Sequence, residues 1–77
     1  MISVHELVYN YPTKHYMGFS RNEMEDLLTN FPNINREIFD NSLRGVTGVM
    51  DEVGGIIIYH VNIERAIING IRNNNKF

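Results

Sequence analysis

The chain has no cysteine, no tryptophan and only two prolines in 77 residues. Without cysteine, neither a disulfide nor a thiolate metal site helps to hold a small core together. Its longest unbroken apolar run, Ile56 to Tyr59, is four residues, far short of the roughly 20 that a membrane-crossing helix needs. The N-terminus shows no basic region followed by an apolar run, so no signal peptide is expected and the cytoplasm is the expected location. Neither sign of charge dominates, because the formal net charge is only −2.

What is present fits one globular domain. The composition is 43% hydrophobic and 21% charged, outside the range of disordered chains. At this length a single core only just outweighs chain entropy. The charge is unevenly placed: residues 1–22 carry +1, residues 23–52 carry −5 and residues 53–77 carry +2. An acidic middle between mildly basic ends separates function classes better than the total does.

Helix starts are legible. Ser20 and Glu23 have the spacing of a capping box, and Phe19 and Met24 that of a hydrophobic staple. Met24, Leu27, Leu28 and Phe31 then recur on one helical stripe, and Pro32 opposes continuation, which predicts a helix over 21–30. Asn35 is the expected cap of a second helix over 36–44, with Ile34 and Phe39 as its staple and Gly45 closing it. Val46–Met50 and Ile56–His60 read as a hairpin around 51–55, and Gly48 within it suggests a bulge. Asn62 is the expected cap of a last helix, with Gly70 ending it and Ile71 folding back. At the N-terminus, Ser3 with Glu6 and Ile2 with Leu7 favour a short helix over 4–10, although 7–11 also reads as a strand. Tyr16–Phe19 is a candidate third strand. The expected organisation is a single domain over 1–72 with a frayed tail at 73–77.

The predicted class is therefore α+β: a helix-turn-helix pair, a β-hairpin and a C-terminal helix. This order resembles a winged helix-turn-helix domain over roughly residues 16–60, with 51–55 as the wing tip. The resemblance implies a DNA-reading helix at 36–44, where Arg36, Asn41 and Arg44 are the right chemistry for base edges. Glu37 and Asp40 share that helix, however, and the wing tip is Asp51-Glu52. Phosphate contacts dominate DNA affinity, so duplex DNA is not the expected partner.

Catalytic constellations are not evident. His5, His15 and His60 lack metal-ligand spacing, so no metal or cofactor is expected. An early start to the last helix would place His60 beside Glu64, as a local hydrogen bond. Glu23, Glu25 and Asp26 fall in the first turns of a helix, where negative charge suits the dipole. Ser3 and Ser20 are explained by caps, and there is no nucleophile elbow or glycine-rich phosphate loop.

The segment from Tyr9 to Phe19 holds Tyr9, Tyr11, Lys14, His15 and Tyr16 and no acid. Such tyrosine-rich surfaces make binding hot spots, while aromatics with basic residues also suit stacking on single strands. The plainer reading is that these rings cover the core. The sequence thus predicts a non-enzymatic protein-binding module that contacts its partner through Tyr9, Tyr11, Lys14, His15, Tyr16, Asp51 and Glu52. Composition suggests a small phage or mobile-element accessory protein that inhibits or modulates a host or viral protein. The alternatives are a dimeric winged-helix regulator and an oligomeric small-nucleotide binder. Consecutive Ile56, Ile57 and Ile58 point to both sheet faces in turn, which predicts a homo-oligomer burying the second face.

Overall fold

Among the described residues, four capped or packed helical segments and three short strands carry the sequence signals into space. A computed structural model describes residues 3–44, 49–50 and 55–74, with backbone alone for Val49, Met50, Asn73 and Asn74. In chain order the elements are α1 (Val4–Tyr9), β1 (Gly18–Phe19), α2 (Arg21–Leu28), α3 (Arg36–Leu43), β2 (Val49–Met50), β3 (Ile56–Tyr59) and α4 (His60–Asn74). The class is α+β, with the helix pair, hairpin strands and C-terminal helix in the expected order. The expected wing tip, with Asp51 and Glu52, lies outside the described residues, as do Gly45 and Gly48.

Caps form where the sequence places them. The Ser20 hydroxyl accepts from Glu23 N–H while the Glu23 carboxylate accepts from Ser20 N–H, a complete capping box. Asn35 accepts from Ile38 N–H at 3.1 Å, and Ser3 accepts from Glu6 N–H at 3.1 Å. With Ser3 capping, 4–9 is helix rather than strand. The α2 helix ends two residues early, because Thr29, Asn30 and Phe31 donate to the carbonyls of Asp26, Leu27 and Leu28. These three-residue steps tighten the last turn before Pro32.

The strands form one antiparallel sheet in the order β1-β3-β2. Gly18 lies opposite Tyr59 and Phe19 opposite Ile58, while Val49 lies opposite Ile57. The third strand expected near Tyr16–Phe19 is thus present as Gly18–Phe19. Only glycine fits its first position, because a Cβ there would lie 2.1 Å from the Ile58 carbonyl oxygen.

The core lies between α4 and the other helices. Phe19, Met24, Leu27, Phe39, Ile63 and Ile67 are each no more than 1% exposed within it. Burying one such side chain stabilises the fold by about 1.5–3 kcal/mol. Ile58 packs against this cluster, whereas Ile57 is buried outside it. Ile57 is thus covered within one chain, while Ile56 of the same strand is 56% exposed.

The last helix differs from expectation at both ends. It begins at His60, directly after β3, so Asn62 is a helical residue and not its cap. It continues through Gly70 to Asn74, which makes residues 73 and 74 helical rather than tail. Instead of ending the helix, Gly70 makes room for a neighbour. Its carbonyl accepts from Asn35 N–H at 3.1 Å, and a Cβ would lie 2.6 Å from Ile34 Cγ1. The glycine lets the α2–α3 turn close on α4. No described helix is long and apolar enough to cross a membrane.

Candidate functional site

The segment before β1 becomes a pinned turn. Gly18 N–H donates to the His15 carbonyl at 3.2 Å, closing a four-residue turn with Tyr16 and Met17 at its centre. The same carbonyl accepts from Thr13 Oγ1 at 2.7 Å. Lys14 N–H donates to Glu23 Oε2 at 2.7 Å, which ties the turn to the first turn of α2. On the far side the turn runs into β1 and its pairing with β3. The backbone is held from three directions, and the central side chains point away from it. Tyr16 is 91% exposed and Met17 39%.

Two further exposed apolar side chains stand on the neighbouring elements α1 and α4. Gly18 sits opposite Tyr59, so the turn lies beside the start of α4, where Val61 is 50% exposed. Tyr9, at the end of α1, is stacked between His5 and His60, with centroid distances of 4.2 and 5.1 Å. His60 meets Phe19 edge-on at 5.0 Å. Lys14 is exposed and His15 half-buried at the base of the turn.

The tyrosines therefore divide. Tyr16 is presented to solvent, and Tyr9 is half-presented on a histidine stack. Tyr11 covers the core: its ring lies 5.9 Å from that of Phe19 and its hydroxyl donates to the Asp26 carboxylate. That hydrogen bond, with burial and the charges of Asp26 and Glu23, raises the Tyr11 phenol above its ordinary pKa. Burial pushes the Glu23 carboxyl up, but the N–H groups of Ser20 and Lys14 and the Ser20 hydroxyl hold it below the usual range. Glu23 and Asp26 thus serve the structure, as cap, anchor and acceptor.

Glu64 does not bond His60, although α4 does begin early enough. His5 reaches it instead, Nδ1 to Oε2 at 3.0 Å, and the His60 ring is taken up by Tyr9 and Phe19. No cluster of three or more potential metal ligands occurs among the described residues.

On α3, Arg36, Asn41 and Arg44 are all exposed. Arg36 is occupied: its guanidinium is bidentate on Glu25 of α2 and its Nε donates to Asp40 at 2.9 Å. These carboxylates raise the Arg36 pKa further, and the Arg36 hydrogen bond lowers that of Glu25. The fork a guanine edge would need is already filled by carboxylate. Asn41 and Arg44 stay available on a face they share with Glu37 and Asp40.

Sequence reasoning passed over the His5–Tyr9–His60 stack, Met17 and Val61. The i,i+4 spacing of His5 and Tyr9 was a visible signal, but the approach of His60 is tertiary. No protein-family model, curated protein or solved structure matches the chain.

Proposed function

We propose that this chain is a non-enzymatic protein-binding module whose contact surface is the aromatic end of the sheet. Tyr16 is its central anchor, flanked by Met17, Tyr9 and Val61, with Lys14 and His15 as the polar rim. The observation that carries the reading is the near-complete exposure of Tyr16 on a turn pinned from three sides. A large ring on a pre-ordered backbone loses little entropy on binding, which is what hot-spot tyrosines share. Exposed large side chains such as Tyr16 and Tyr9 on a small domain are also of the kind that marks partners.

The test is affinity capture from lysate of the producing cells with the wild-type chain, Tyr16→Ala and Glu37→Ala. A stoichiometric protein retained by wild type and Glu37→Ala but lost with Tyr16→Ala supports the reading. Capture that is indifferent to Tyr16 contradicts it.

A second reading is a winged-helix DNA regulator, favoured by the element order and the exposed Asn41 and Arg44. The occupied Arg36 and the acids on the same face weigh against it.

A further inference from the structure

We infer that the outer face of α4 is a second contact surface, built to receive an acidic amphipathic helix of a partner protein. Val61, Arg65, Ile68 and Arg72 follow at i, i+4, i+7 and i+11, which places all four on one narrow stripe. At about 1.5 Å per residue the stripe is roughly 16 Å long, three helical turns. It is the face opposite Ile63, Ala66, Ile67 and Gly70, which are buried in the core.

An open groove of about 300 Å³ runs along it, bordered by Glu64 and Asn69. Val61 is half exposed and Ile68 partly so, while Arg65 and Arg72 are exposed. Neither arginine has an ion-pair partner among the described residues, in contrast to Arg36 with its two carboxylates. Glu64 is taken by His5. The stripe therefore alternates apolar and unpaired cationic side chains on a rigid helix.

Charge complementarity selects the occupant. An amphipathic helix with Leu or Ile and Glu or Asp at matching spacing meets Val61 and Ile68 with its apolar residues and the two arginines with its carboxylates. A second copy of α4 is a poorer fit: run parallel it sets arginine against arginine, and run antiparallel it sets each arginine against Val61 or Ile68 and pairs no charge. A phosphate backbone prefers a run of cations to one interrupted by apolar residues and bordered by Glu64. Two apolar side chains are too few to anchor a helix in a lipid surface. Val61 borders both surfaces, but Arg65 and Arg72 carry this one and Tyr16 the other, so substitutions at those positions test the two readings separately.

The probe is a fluorescent helical peptide of about 14 residues, roughly 20 Å long, with Leu and Glu alternating along one face. Its counterpart carries Lys for every Glu. The full chain binds the Glu peptide about tenfold more tightly than the Lys peptide, the ratio expected of two exposed charge pairs acting together. Arg65→Glu with Arg72→Glu reverses that preference while circular dichroism shows an unchanged fold, and Tyr16→Ala leaves it intact. Equal binding of the two peptides overturns the proposal, as does a preference that survives the double reversal or vanishes with Tyr16→Ala. Tighter arginine-dependent binding to a DNA duplex or to anionic phosphatidylserine vesicles overturns it too.

Discussion

The backbone N–H of Lys14 donates to Glu23 Oε2 at 2.7 Å, while Oε1 of the same carboxylate accepts from Ser20 N–H at 2.9 Å. One side chain thereby caps α2 and anchors the turn that presents Tyr16. Glu23→Ala should remove hydrogen-exchange protection at the Lys14 and Ser20 amides and leave the amides of α4 protected. Unchanged exchange at Lys14 would show that the turn holds without this anchor.

Ser20 supplies the other half of the box. Ser20→Ala should destabilise the domain by about 1 kcal/mol, the usual cost of an N-cap. In a domain of this size that lowers Tm by about 4–8 °C, which a thermal melt resolves.

Gly18 and Gly70 should respond differently to alanine. At Gly18 the new Cβ meets backbone, 2.1 Å from the Ile58 oxygen, and β1 can no longer pair with β3. At Gly70 it meets the Ile34 side chain at 2.6 Å, with the Asn35 carbonyl oxygen 3.2 Å away. Overpacking of about 1–3 kcal/mol there exceeds the roughly 1 kcal/mol that alanine gains in helix propensity. Both variants should melt below wild type, Gly18→Ala the further. A more stable Gly70→Ala would mean that the α2–α3 turn does not close on α4.

Acid should weaken the fold through Glu23 and Glu25, whose carboxyls are held below the usual range. A depressed folded pKa stabilises fully above the unfolded value, about 4.3 for glutamate, and this contribution is lost as pH falls through the folded value. Melting temperature should therefore drop below about pH 4. Glu23→Gln should flatten that acid limb, and an unaltered limb would assign the loss to other groups.

Much of the fold was legible because caps and turns are local. Ser3, Ser20 and Asn35 each bond a backbone N–H three residues on, so sequence spacing alone identifies them. Gly70 was misread for a physical reason. A glycine near the end of an apolar stripe suits a helix terminus and a close helix contact equally, and only Ile34, 36 residues away, separates the two. His60 opens α4 with its ring against Tyr9 and Phe19, contacts that no local pattern encodes. In the candidate site the aromatic segment was visible but its division was not. Tyr11 and Tyr16 differ only in what β1 and α2 bring beneath them.

The winged-helix alternative makes its own demand. With Arg36 held by Glu25 and Asp40, binding to a mixed-sequence duplex should be no tighter than about 10⁻⁵ M at physiological salt. Fluorescence anisotropy measures this, and sub-micromolar binding with a steep salt slope would promote the DNA reading.

Whether Tyr16 meets a protein partner can be read from photo-crosslinking at that position. A benzophenone amino acid at position 16, irradiated in producing cells, should yield one discrete higher-mass adduct. The same group at position 37, on the outer face of α3, should yield none of that mass. Adducts absent from position 16, or identical from both positions, would contradict the account.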